Sequence, residues 1–244
     1  MIENNTNFVV LHETQNYIVV DKPSPLLVHP STPGNPPSLL EEIEALLAYD
    51  IANGATLSII NRLDRETSGV VLIAKNKETA RRFGIAMQNR EIKKEYVALV
   101  KGIPDKERFT VDAPILRAGE IYDSPVWVKQ TVHPKGKACI TEFELLEIKG
   151  SFSLLKAIPK TGRMHQIRVH AHHVNLPIVG DKIYGGDDSC YLEFINTGWT
   201  ESLKSKLILP RQALHCRKMQ LSNLESWEAP VPIEFKSFGG RLDR

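Results

Sequence analysis

The sequence predicts a mixed fold, mostly strands with a few helices, and three observations point to it. Short apolar runs of strand length recur along most of the chain, and fewer, longer stretches space their apolar residues at helical intervals. The 244 residues are 42% hydrophobic and 25% charged. That is the composition of an ordinary globular protein, with enough chain to bury a sizeable core in one large domain or two.

Residues 17–20 read as a strand ending at Lys22, a solvated strand end, and a proline-rich turn then runs from Leu26 through Pro37. Ser38 and Glu41 have the spacing of a capping box. Leu39, Ile43, Leu46 and Leu47 line one face of a helix that should end near Asn53-Gly54. Two β-branched runs, 58–60 and 70–74, bracket the polar loop 61–69, where Gly69 turns the chain back into a strand. Residues 77–89 read as a helix whose exposed side carries Lys77, Arg81 and Arg82, followed by Arg90, Lys93 and Lys94. Residues 94–102 form a strand entering a glycine turn, and 109–113, 126–132, 138–146 and 152–158 are further strand-like runs. Met164, Ile167, Ala171 and Val174 recur at helical spacing. Residues 187–210 read as a surface insertion with a short helix around 201–206. A strand over 214–221 returns to the core, and 231–235 adds a last edge strand with prolines limiting its pairing.

Charge and cysteine usage narrow the class. A net charge of +2 with pI about 8.4 permits an RNA partner without demanding one. Cys139, Cys190 and Cys216 are too scattered for a disulfide framework or a zinc site, which favours a reducing cytoplasm. The N-terminus is polar, and no apolar run is long enough to span a membrane. His165, His170, His172 and His173 cluster in sequence but have no accompanying acidic ligand, so no metal is expected. No glycine-rich nucleotide motif suggests a cofactor.

The chemistry concentrates in Asn61-Arg62-Leu63-Asp64-Arg65-Glu66-Thr67-Ser68-Gly69. Asp64 lies among guanidiniums, which favour its ionised form. It could serve as nucleophile, base or salt-bridge anchor. Arg168, at the edge of an apolar helical face, wants an anionic partner. Arg81, Arg82, Lys93 and Lys94 make a candidate phosphate-binding surface.

The loop resembles that of the RluA-type pseudouridine synthases, whose pattern is His-Arg-Leu-Asp, two variable residues, then Thr-Ser-Gly. Arg62, Leu63, Asp64, Thr67, Ser68 and Gly69 match, and Asn61 stands where the family usually has His. Two further stretches match in order, one around Tyr96 and one from Thr161 through Arg168 to Gly185, so the resemblance covers roughly residues 8–235. It implies an α+β fold with a mixed, mostly antiparallel sheet, flanking helices and a central catalytic cleft. It also implies a single catalytic domain over 1–244 without an N-terminal S4 domain. The implied activity is isomerisation of uridine to pseudouridine in tRNA, 23S-type ribosomal RNA or both, with no cofactor needed; a monomer is expected, in the cytoplasm that the cysteines favour. Asp64 would attack the nucleotide or remove a sugar proton. Arg168 would hold that carboxylate and Tyr96 would stack on the flipped base. Arg62, Arg65 and Arg163 join the basic surface as RNA contacts. The rival readings are a non-catalytic RNA-binding protein or chaperone on the same scaffold, and a metal-dependent hydrolase using the histidines.

Overall fold

The computed structural model describes residues 7–30, 37–222 and 225–236; part of the expected proline-rich turn, 31–36, lies outside them. The strands are β1 (Val9–Glu13), β2 (Tyr17–Lys22), β3 (Ser58–Ile59), β4 (Ser68–Ala74), β5 (Lys93–Lys101), β6 (Arg108–Asp112), β7 (Ile115–Arg117), β8 (Gln130–Val132), β9 (Ile140–Lys149), β10 (Phe152–Pro159), β11 (Leu214–Gln220) and β12 (Ser226–Glu228). The helices are α1 (Leu39–Leu46), α2 (Ala48–Ala52), α3 (Lys77–Gln88), α4 (Gln166–His173), α5 (Asp188–Thr197), α6 (Glu201–Leu207) and α7 (Ile233–Lys236). Mostly antiparallel pairing with helices around it makes this an α+β fold. The chain divides into two compact units, Met1–Lys94 with Cys216–Pro230, and Glu95–His215 with Val231–Arg244.

In the first unit the strands run in the order β1-β2-β4-β11, with β3 on β4 and β12 on β11. Every residue of β4 is buried, and after Ser68 and Gly69 it is an unbroken apolar run. The capping box forms as the sequence predicts: Ser38 accepts from the Glu41 N–H, and Glu41 reaches back to the Ser38 N–H. The helix that follows breaks at Leu47, which is buried, and α2 continues with no buried residue of its own. α3 is capped by Asn76, whose side chain accepts the Thr79 N–H at 2.8 Å, and it buries Thr79, Phe83 and Ala86. Phe83 meets Tyr17 and Trp227 edge-on, at ring separations of 5.5 Å (Tyr17) and 6.3 Å (Trp227).

The second unit runs β5-β10-β9-β6. β5 is buried from Tyr96 to Val100 and pairs with β10, Tyr96 opposite Ala157. β7 and β8 form a separate two-stranded ribbon. α5 and α6 fill the segment read as an insertion, with Cys190, Leu203 and Leu207 as a small core. Two lysines tie it down: Lys101 donates to the Lys206 carbonyl (2.7 Å) and Lys182 to the Pro210 carbonyl (2.7 Å). Lys182 Nζ also lies 4.2 Å from the centre of the Phe194 ring.

Three expectations change here. The strand over 126–132 shrinks to β8, because Val126 to Lys129 close a turn. The helix expected around Met164 starts only at Gln166, since His165 has φ +56 and Met164 is exposed. The last edge strand is instead the short helix α7. Pro230 and Pro232 lack the N–H a ladder needs, whereas the Pro232 carbonyl accepts from Phe235 (3.1 Å). Phe235 is then buried under Arg211, which pairs with Glu234 at 2.5 Å.

Candidate active site

The loop carrying Asp64 is held by its backbone. Asn61, buried at its start, donates Nδ2–H to the Val70 carbonyl (3.0 Å) and accepts the Leu72 N–H (2.9 Å). Its amide thereby continues the pairing of β4 where β3 has stopped. Leu63 is buried, and the Thr67 N–H closes a turn onto the Asp64 carbonyl at 3.0 Å. Gly69, at φ +114, follows within β4; a Cβ there would lie 2.2 Å from the Cys216 carbonyl oxygen, so no other residue fits.

Lys22 corrects the expectation of a solvated strand end. It is fully buried and donates to the carbonyls of Pro23 (2.8 Å), Leu26 (2.9 Å) and Arg65 (3.2 Å). An ammonium has three donors and no acceptor, which suits a place where carbonyls converge. The Leu26 N–H donates to the same Arg65 carbonyl at 3.0 Å. Lys22 and the turn after β2 therefore fasten the backbone directly after Asp64. Asp64 is half-buried, and Arg62 and Arg65 on either side are exposed.

The other basic residues of the first unit differ from one another. Arg81 and Lys93 are exposed. Arg82 is exposed but engaged, 2.7 Å from Glu225 and 4.5 Å over the Phe83 ring. Lys94 is half-buried, and burial draws its ammonium below the usual lysine range, with Cys216 opposing.

In the second unit, Arg168 has the anionic partner its sequence position demands. Its Nε and Nη2 donate to the two oxygens of Asp181 at 2.6 and 2.8 Å, a bidentate pair with Asp181 fully buried. Asp181 also accepts the N–H groups of Ile183 (3.0 Å) and Tyr184 (3.1 Å). Burial alone would raise this carboxyl's pKa; Arg168 and the two amides outweigh it and hold it below the usual range. The guanidinium lies 5.1 Å from the centre of the Tyr184 ring, whose hydroxyl accepts from the Gln130 N–H and meets His165 Nδ1, both at 2.9 Å. Tyr96 is buried in β5. Arg163 is exposed, with Nε 3.4 Å from the Ala138 carbonyl.

The histidines are divided among separate duties. His170 is buried between Thr141 Oγ1 and the Ala113 carbonyl, both at 2.9 Å. A carbonyl only accepts, so Nε2 carries the proton and Nδ1 takes the Thr141 hydroxyl hydrogen. His172 and His173 are exposed. Among the described residues no group of three His, Cys, Asp or Glu side chains is placed to hold a metal ion.

Sequence reasoning missed two structural supports: it took Lys22 for a solvated strand end and gave Asp181 no role. The only signal for Asp181 was its place between apolar Ile178-Val179 and Ile183, in a stretch that matched the resemblance without being given a role.

A sequence model of the RNA pseudouridylate synthase family matches residues 16–173. Ribosomal large subunit pseudouridine synthase D of Pseudomonas aeruginosa is 34% identical over 233 residues, covering 93% of this chain and 69% of its own. A Chloroflexus aurantiacus protein named as an uncharacterized RNA pseudouridine synthase is 38% identical over 225 residues, covering 88% and 63%. Among solved structures, human RNA pseudouridylate synthase domain containing 4 is similar with TM-score 0.72 at 26% identity, over 93% of this chain and 90% of that one. Among the described residues no helix is long and apolar enough to cross a membrane. With the loop matching the family's motif and these relatives spanning nearly its whole length, the chain belongs to the RluA-type RNA pseudouridine synthases, isomerases that convert uridine to pseudouridine in RNA.

Proposed function

We propose that the chain isomerises a small set of uridines in large-subunit ribosomal RNA or tRNA, with Asp64 as the reacting acid. The observation that carries this reading is the Asp64 loop. Asn61, Lys22 and Gly69 fix its backbone, and Asp64 is half-buried between the exposed Arg62 and Arg65. In the reaction the N1–C1′ bond breaks, the base turns, and C5 bonds to C1′. Asp64 adds to the nucleotide or removes a sugar proton, and either role needs it ionised and oriented. Arg168 is assigned that orienting task, and Tyr96 the stacking on the extruded base. Arg62, an exposed guanidinium, fills the space the base leaves.

The names of relatives such as the Pseudomonas enzyme favour large-subunit ribosomal RNA over tRNA. Three free, buried cysteines fit a reducing cytoplasm, where the chain works as a monomer. Pseudouridine mapping of RNA from cells with and without the gene tests the target. Loss of pseudouridine at one or a few large-subunit positions is expected; retention of every site, in tRNA and rRNA alike, would defeat the proposal.

Phosphate contacts are assigned to Arg65, Arg81, Lys93, Lys94 and Arg163, with Arg82 held back by Glu225. Replacing Arg81 and Lys93 together with Ala should weaken RNA binding at every sequence. It should also flatten the slope of log K against log salt by about 0.7–0.9 for each phosphate no longer neutralised. An unchanged slope, read by filter binding at several salt concentrations, would make this an ordinary solvated face.

A further inference from the structure

The connection between β7 and β8 carries an exposed aromatic ring paired with a guanidinium, and what is inferred from it rests on the RNA-isomerase reading above. Trp127 is 76% exposed, so packing in the core does not account for an indole there. Arg117, the last residue of β7, lays its guanidinium over that ring with Cζ 3.8 Å from the centroid. The base beneath this pair is firmly set. Ile115 and Val126 are buried against Tyr184, the Tyr184 hydroxyl accepts the Gln130 N–H, and Lys129 pairs with Asp188 at 2.5 Å.

The surroundings favour an anionic ligand. Residues 113–137 carry Arg117, Lys135 and Lys137 besides Lys129, which Asp188 already neutralises, against the carboxylates of Glu120 and Asp123. Glu120 lies 3.9 Å from Arg117 Nε. On the other side of β7, Lys137 and Ile115 exchange backbone hydrogen bonds, and Arg163 reaches the neighbouring Ala138 carbonyl. Unpaired RNA bases stack on aromatic rings and guanidinium planes alike, and phosphates follow cations. We propose that Trp127 and Arg117 form a stacking platform for an unpaired base of the substrate RNA. The guanidinium already sits over the indole, so little side-chain freedom is lost when the base arrives.

The test uses Trp127→Phe, Trp127→Ala and Arg117→Lys in the full chain, with a single-stranded RNA decamer of mixed sequence and C5-tritiated substrate RNA as probes. The other two tryptophans are buried (Trp227) or half-buried (Trp199), so Trp127 should dominate the quenchable emission. The decamer is expected to quench wild-type fluorescence. Trp127→Phe should lose the quench yet bind within about threefold of wild type, because any aromatic face can stack. Trp127→Ala should bind at least about fivefold more weakly with the same salt slope, and raise KM more than it lowers kcat. Arg117→Lys keeps the charge but not the plane, and should fall between. Wild-type binding and turnover by Trp127→Ala, or a quench that survives in Trp127→Phe, would overturn the platform. A wild-type protein that is quenched by RNA but releases no tritium would instead sink the isomerase reading and leave the platform standing.

Discussion

Asp181→Asn is expected to lower the thermal unfolding midpoint by about 10 °C. The reason is the partner left behind. Arg168 is 5% exposed and gives two of its N–H groups to the two Asp181 oxygens. Asparagine keeps the shape but offers one acceptor and no charge. Removing one member of a buried pair typically costs about 3–5 kcal/mol, because the other charge stays desolvated. Two of the carboxylate's other donors, the Ile183 and Tyr184 amides, also lose an ionised acceptor. A double variant, Asp181→Asn with Arg168→Met, should recover part of the loss, since the guanidinium that Asp181 neutralised is then gone as well. The same pair gives a pH dependence. The Asp181 carboxyl titrates below the ordinary range when folded, so its contribution is present above about pH 4, the unfolded value, and is lost as pH falls through the depressed folded one. Differential scanning calorimetry between pH 3 and 7 should show a steeper acid loss for wild type than for Asp181→Asn. Equal slopes and an unshifted midpoint would mean the pair contributes nothing net.

Where function depends on local pattern, the sequence announces it. The Asp64 loop is bracketed by β-branched runs that became β3 and β4, and Gly69 sits where only a residue without Cβ fits against Cys216. The capping box at Ser38 and the exposed side of α3, with Lys77, Arg81 and Arg82, were equally local, and both formed as read. What the sequence hid was set by interactions across the chain. Lys22 looks like a strand-end lysine until the Arg65 carbonyl, 43 residues on, is brought to it. Arg168 advertised a need for an anion, but nothing in helical periodicity points to Asp181, 13 residues further along in a loop. Residues 231–235 have the β-branched look of an edge strand, yet Pro230 and Pro232 remove the donors a strand would use and leave a helical turn as the alternative. The stacked Arg117 and Trp127 were invisible for a similar reason: ten residues separate them, across a loop with no periodic pattern.

Asp64→Asn carries the largest expected effect on activity, because asparagine is nearly isosteric with aspartate but is neither a comparable nucleophile nor a base. The loop's anchors, Asn61, Lys22 and the Thr67 N–H on the Asp64 backbone carbonyl, do not use the carboxylate, so the variant should fold. Phosphate contacts supply most of the affinity, so it should still bind RNA. Isomerisation exchanges the hydrogen on C5 of uracil for a carbon bond, and RNA tritiated at C5 therefore reports each turnover as label in water. The measurement is tritium release from unmodified large-subunit rRNA and tRNA, without added cofactor and with chelator present. Wild type should release label from its target, and Asp64→Asn should release none while binding that RNA with wild-type affinity. Release at a wild-type rate by Asp64→Asn would contradict the account, reducing Asp64 to a structural residue and leaving the reacting acid elsewhere in the chain.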